Sequence, residues 1–247
     1  MPKPHIVFLP GAWHSAEGYY AVMSKLEEAG YSVHSRPLPG VGMYNPPVDL
    51  VDDIAATQEI VNEAIGDGND VIVIPHSWPG IVVGSALVGY GKKQREERGQ
   101  KGGVVRGAYM CSFIVPEGVS LMDACQHRLP PWYTVDGLYS FVTDSTVFYH
   151  DLPASEREYW TSKLELHSFA TQKAKSTGAS WKDIPTSYLV CEDDRAIPAV
   201  FQDMMIDRVK EMGGDIEVKR IKASHSPFLS MPDAVVDWIR EAVGEKL

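Results

Sequence analysis

The sequence predicts an α/β fold: a doubly wound, mainly parallel six-stranded sheet with a helical lid inserted after the fourth strand. Three observations carry this. Short runs of β-branched and apolar residues alternate with longer helix-like stretches along most of the 247 residues, the pattern of strand–helix–strand units. Several runs are apolar almost without a break, as in Val71-Ile72-Val73-Ile74, which marks strands covered on both faces. One interval, from Val115 to Pro185, interrupts the alternation with about 70 residues, more than a connecting loop accounts for.

Taken in order, His5–Leu9 reads as the first strand and Ala16–Gly30 as the helix after it. Tyr31–Arg36 is the second strand, Leu50–Gly66 a helix, Asp70–Pro75 the third strand and Pro79–Gly91 its helix. The fourth strand falls within Val104–Phe113. Beyond the long interval, strands at Thr186–Cys191 and Ile216–Ile221 alternate with helices at Ala199–Gly213 and Pro232–Glu245. Gly30 and Gly213 each stand where a helix C-cap is expected, just before the next strand. The core is therefore 1–114 and 185–247, and 115–184 is the lid. That lid is rich in aromatics, among them Trp132, Tyr133, Tyr139, Phe141, Phe148, Tyr149, Trp160, Phe169 and Trp181; we read it as mostly helical.

Composition narrows the partners. Lys plus Arg number 23 against 33 for Asp plus Glu, a net charge of -10. Neutralising phosphates needs clustered positive charge, so no nucleic acid is expected, nor an anionic membrane surface. The basic stretch Lys92–Arg98 is mixed in sign and reads as a solvated helix end. The three cysteines, Cys111, Cys125 and Cys191, have no paired spacing; they suit a reducing compartment, and the two in strands read as small core residues. Met1-Pro2-Lys3-Pro4 leads into only five apolar-leaning residues before Pro10-Gly11, which is not a secretory signal. No window approaches the roughly 18 apolar residues of a membrane span. A cytoplasmic monomer or homodimer acting on a small-molecule substrate is expected, with no cofactor. No metal is implied, because His and acidic residues do not recur at ligand spacing, and no nucleotide, because no GxGxxG follows a strand.

The chemistry is carried by three strand ends. After Val71–Ile74 come Pro75-His76-Ser77-Trp78-Pro79-Gly80 and then Ile81-Val82-Val83-Gly84. A serine between a buried strand and a helix, with compact residues two positions away on each side, has the form of a nucleophile elbow; a serine there can equally be an N-cap. The first strand ends in Pro10-Gly11-Ala12-Trp13-His14, a loop able to aim a backbone N–H at the oxygen of a carbonyl attacked by Ser77. The N–H groups of Ala12 and Trp78 are the natural pair of oxyanion donors. Glu192-Asp193-Asp194 follows the fifth strand; Asp194 is preferred as the acid because Asp-x-x-Ile-Pro places it in the turn before the next helix, although an acidic cap suits its neighbours. His225, in the loop after the last strand, has the basicity to take the serine proton and return it. The chain order Ser77, Asp194, His225, each at a strand's C-terminal end, is what a serine triad on such a sheet requires.

Trp13 and His14 on one side, with His76 and Trp78 on the other, flank the nucleophile. Trp13 and His14 suit the pocket or the bracing of their own loop, whereas His76 reads as structural. The lid aromatics Trp132, Tyr133 and Phe148 suggest an apolar or ring-bearing substrate, with His167 as a polar candidate beside them.

These motifs resemble the α/β-hydrolase superfamily, and within it the small esterase and hydroxynitrile-lyase-like branch of fungi and plants. Pro10-Gly11-Ala12-Trp13-His14 resembles the His-Gly-x-x-His oxyanion loop of that branch, with Pro10 in place of the first histidine. Val104–Tyr109, Val115–Ser120, Phe148–Pro153, Ile184–Tyr188 and Ala223–Ser230 resemble its strand, lid and histidine-loop segments, so the likeness spans nearly the whole chain. It implies a serine hydrolase acting on a small carboxylic ester, lactone or thioester. Because the branch includes lyases, it also leaves open non-hydrolytic chemistry with His225 as general base. The departure lies at the elbow, where Pro75 and Pro79 stand at positions the family fills with glycine.

Overall fold

The computed structural model describes residues 2–246. The chain begins with β1 (His5–Leu9), a 3-10 turn at Ala16–Tyr19 and α1 (Tyr20–Glu28). Next come β2 (Val33–Ser35), α2 (Val51–Ile65), β3 (Asp70–Pro75), α3 (Pro79–Ala86), α4 (Lys92–Glu97) and β4 (Gly103–Met110). The lid follows as α5 (Leu121–Ala124), β5 (Tyr133–Asp136), β6 (Tyr139–Val142), α6 (Thr146–Tyr149), α7 (Ala154–Ser162), β7 (His167–Ser168) and α8 (Phe169–Lys173). The core resumes with β8 (Thr186–Cys191), α9 (Ala199–Glu211), β9 (Ile216–Ile221), α10 (Pro227–Ser230) and α11 (Pro232–Ala242).

Six strands form one sheet in the order β2-β1-β3-β4-β8-β9, and every neighbouring pair is parallel. The apolar runs explain its burial on both sides. Val7, Leu9, Val71 and Val73 face a core shared with α2, α3, α9 and the lid. Ile6, Phe8, Ile72 and Ile74, the alternate residues, face a second core filled by α1 and α11. Each such side chain taken fully from water contributes about 1.5–3 kcal/mol before the entropy of ordering is set against it. Gly30 and Gly213 adopt the left-handed φ expected of their caps, +86° and +84°.

The helix after β1 covers one face and the helix after β3 the other. Leu9 and Pro75 are paired in register, so the loops that follow leave the sheet at one level and turn opposite ways. That divergence opens the crevice at the carboxyl ends of the strands where open α/β sheets bind ligands.

The lid differs from expectation in one respect. Its helices are accompanied by a three-stranded antiparallel sheet, β5-β6-β7. The β5–β6 hairpin closes through Gly137-Leu138, with Gly137 at φ +57°, a two-residue loop with glycine first that suits the strand twist. Among the described residues, no helix is long and apolar enough to cross a membrane.

Candidate active site

Ser77 follows β3 at φ +65°, a left-handed conformation that costs a non-glycine residue on the order of 1–2 kcal/mol. Four neighbours hold it there. The Ser77 N–H donates to the Met110 carbonyl at 3.4 Å, and its carbonyl accepts from Phe113 N–H at 3.0 Å and from the Ser112 hydroxyl at 2.6 Å. The Gly80 N–H also reaches that carbonyl at 3.3 Å. The backbone is thus turned so that the hydroxyl stands above the strand end. Ser77 is only 8% exposed, and its hydroxyl has no protein hydrogen-bond partner among the described residues.

The two residues expected to form the acid–base pair are bonded to each other. His225 Nδ1 lies 2.7 Å from Asp194 Oδ2, with both residues buried. A carboxylate only accepts, so the imidazole proton sits on Nδ1 and the Nε2 lone pair is left to take a proton. Asp194 Oδ1 accepts from Ala196 and Ile197 N–H, both at 2.8 Å, and Oδ2 also accepts from Gln202 Nε2 at 3.3 Å. Glu192 and Asp193 are exposed, and of the three consecutive acids Asp194 is the one bonded to His225. Gln202 escaped sequence reading: nothing marks one buried glutamine in the first turn of α9 as the brace of an acid eight residues earlier.

The loop after β1 mirrors the elbow, since Trp13 is also left-handed at φ +63°. Neither the Ala12 nor the Trp78 backbone N–H has an acceptor among the described residues, which leaves both free for a developing oxyanion. The peptide carrying the Ala12 N–H is held from its other side, where Gly11 C=O accepts from His14 N–H at 3.1 Å. His14 itself spans loop and lid: Nδ1 donates to Ala12 C=O at 2.7 Å and Nε2 accepts from the Tyr149 hydroxyl at 2.8 Å. Burial lowers its pKa to about 4, so it stays neutral. With both nitrogens engaged, its role in this structure is to brace the loop. The Trp13 indole donates to Ser140 in β6 at 3.2 Å.

The lid residues singled out from sequence come together. Trp13 packs against Trp132, Tyr133, Phe148 and His167 with ring centroids 5.2 to 6.1 Å apart. Phe148 lies 5.5 Å from the His225 ring. His167 is fully buried, stacks edge-on to Trp78 at 4.4 Å and is bonded at both nitrogens, to Thr171 and Gln172. Burial takes its pKa down to about 3. The histidine loop is tied to the lid as well, through Ser224 N–H to Asp151 and the Ser224 hydroxyl to the Phe148 carbonyl, both 2.9 Å. A groove of about 620 Å³ lies away from Ser77, between the Gly42–Tyr44 loop, Tyr139, Phe141 and Leu166.

His76, Cys111 and His225 bring potential ligand atoms within 4.8 Å of one another. Both His76 nitrogens are already bonded, the Cys111 thiol donates to the His225 carbonyl at 3.3 Å, and burial pushes that thiol's pKa up. Those bonds make the cluster part of the packing beneath the site.

Comparison with known proteins agrees with this geometry. The model of the alpha/beta hydrolase family matches residues 6–238. The chain belongs to the alpha/beta hydrolase family. An alpha/beta hydrolase from Aspergillus novofumigatus, nvfD, is 31% identical over 253 residues, covering 100% of this chain and 99% of that one. Norfluorocurarine synthase 2 from a Strychnos species is 25% identical over 277 residues, covering 97% of this chain and 95% of that one. Among solved structures, a pyrethroid hydrolase from Sphingobium faniae JZ-2 superposes with a TM-score of 0.74 at 22% identity, covering 98% of this chain and 97% of that one.

In this alpha/beta hydrolase the close approach at the elbow has moved by one residue. Pro79 takes the first position of α3, where a missing N–H costs nothing. Gly80 faces the β4 loop, and a Cβ there would lie 1.8 Å from the Phe113 carbonyl oxygen. The small residue the fold needs is thus at position 80, which frees 79 for proline.

Behind Trp78, Asp53 is fully buried. Its Oδ1 accepts from Gly40 N–H at 2.7 Å, whereas Oδ2 has no partner among the described residues. Burial pushes its pKa up to about 7, against roughly 4 in an unfolded chain. Between those values the folded protein keeps a proton that the unfolded chain has lost, so stability falls as pH rises through this window and levels off above it. Asp53→Asn is therefore expected to gain stability relative to wild type as pH rises from about 4 to about 8, by roughly 2–4 kcal/mol. Urea unfolding of both proteins across that range checks this; a difference that stays constant with pH would count against it.

Proposed function

We propose that this alpha/beta hydrolase is a serine hydrolase that cleaves a small, apolar or aromatic carboxylic ester, lactone or thioester through an acyl-enzyme. One observation carries the reading: a serine in a left-handed turn at the sheet's switch point directly follows His76, whose ring lies 4.6 Å from that of His225, itself buried and paired with Asp194 through Nδ1. Ser77 Oγ attacks the carbonyl carbon while His225 Nε2 takes its proton. Asp194 holds the imidazole and stabilises its positive form. The Ala12 and Trp78 N–H groups receive the oxyanion, a donor pair of which each member typically contributes roughly 3 kcal/mol. His225 then returns the proton to the leaving group, and water activated by the same nitrogen releases the acid. A monomer or homodimer acting on such a small molecule needs no cofactor in this scheme. A pyrethroid hydrolase among the structural neighbours is compatible with a hydrolase reading.

A fluorophosphonate probe tests the nucleophile. Wild type is expected to take one label per chain and Ser77→Ala none; labelling that survives the substitution would overturn the assignment.

A second reading, non-hydrolytic chemistry with His225 as general base on the substrate, is favoured by the unbonded Ser77 hydroxyl and by the near-complete burial of Ser77 and His225, 8% and 1% exposed. A synthase among the relatives is compatible with it. Turnover in ¹⁸O-labelled water separates the two, because hydrolysis places solvent oxygen in the acid product.

A further inference from the structure

We propose that the Tyr19 hydroxyl is the positioning group that ties the oxyanion loop, the elbow and the histidine loop together, and that it sets the rate of the serine chemistry without touching substrate. This rests on the serine-hydrolase reading. Tyr19 ends the 3-10 turn after β1 and is fully buried. Its ring lies flat on Phe228, centroids 4.1 Å apart and 21° between planes, so the hydroxyl has one place to point. There it meets His76 Nδ1 at 2.6 Å and the Gly11 N–H at 3.4 Å. The other nitrogen of His76, Nε2, lies 2.8 Å from the carbonyl of His225.

The direction of every proton in this chain is forced. The His225 carbonyl can only accept, so Nε2 of His76 carries the hydrogen. Nδ1 is then an acceptor, so Tyr19 donates to it and offers a lone pair to Gly11 N–H. Burial holds His76 neutral by taking its pKa well below the ordinary value, which keeps the pattern intact. Gly11 is packed so closely that a Cβ on it would lie 2.8 Å from His76 Nδ1. One phenol therefore fixes the peptide before the Ala12 donor and, through His76, the main chain of the general base.

Tyr19→Phe keeps the stacked ring and deletes the hydroxyl. Two buried groups lose their partner, and the His76 tautomer is no longer specified. In an ester assay, kcat is expected to fall by about 10- to 100-fold with KM changed by less than about threefold. Affinity for a trifluoromethyl ketone, which forms an oxyanion on Ser77, should fall by the same factor as kcat/KM, and affinity for the product carboxylate should not. Tyr31→Phe is the control: it removes another largely buried phenol, bonded to Glu245 at 2.8 Å, and is expected to lower Tm while leaving kcat/KM and ketone affinity as in wild type. The imidazole ¹⁵N resonances supply a substrate-free readout. Wild type should show His76 protonated at Nε2, and Tyr19→Phe should show a shifted or mixed tautomer together with a moved His225 signal. Unchanged kcat and unchanged imidazole signals in Tyr19→Phe would overturn the proposal, as would equal losses for ketone, substrate and product. A wild type that takes no fluorophosphonate and turns over no ester defeats the hydrolase reading instead, and the ¹⁵N signals then decide the positioning claim alone.

Discussion

Asp194→Asn is expected to lower kcat by about 10⁴-fold with little change in KM or in folded content. The environment dictates how the amide would sit. Ala196 and Ile197 present N–H groups to Oδ1, so the amide oxygen stays there and the NH₂ faces His225. A donor against Nδ1 forces the imidazole proton onto Nε2, where the general base needs a lone pair. Gln202 Nε2, 3.3 Å from the same position, then faces a second donor. Steady-state kinetics with circular dichroism check the prediction, and a loss smaller than about tenfold would mean that Asp194 braces the loop without setting the tautomer.

The largest effect on stability is expected at Gly80. An alanine Cβ would lie 1.8 Å from Phe113 O, 2.5 Å from Ser112 Oγ and 2.9 Å from Phe113 C. The Ser112 hydroxyl and the Phe113 N–H are also what hold the Ser77 carbonyl. The β4 loop must retreat, and in retreating it releases the left-handed serine. Gly80→Ala should cost roughly 3–5 kcal/mol and abolish probe labelling of any protein that still folds. Gly30→Ala gives the scale for backbone strain alone, since Gly30 has nothing within 4 Å of a Cβ; about 1 kcal/mol is expected there. Urea midpoints for the pair decide it, and equal costs would refute the steric account.

The sheet was legible because its strands announce themselves twice, by apolar continuity and by the turn residues that end them. Ser77, Asp194 and His225 were legible because each follows such a strand, and topology alone places strand ends at one edge. The lid sheet was harder to read, since β5 and β6 are only four residues each and their aromatics suit a helix equally well. Gly137 between alternating Tyr133-Thr134-Val135 and Tyr139-Ser140-Phe141 was the available signal. Tyr19 and Gln202 left no trace in the sequence, because their importance comes from side chains that meet only after long stretches of chain have folded back. The same holds for Asp53, whose charge state is decided by what covers it.

Two loops of the candidate site, those after β1 and β9, carry tethers to the lid. Trp13 donates to Ser140, His14 accepts from Tyr149, and Ser224 is bonded to Phe148 and Asp151. The covering and the covered parts are thus one mechanical unit. Any displacement that admits a larger ligand pulls on the donors and the base at the same moment, so breadth of substrate range and precision of alignment trade against each other. In this scaffold, selectivity and turnover cannot be adjusted as independent quantities.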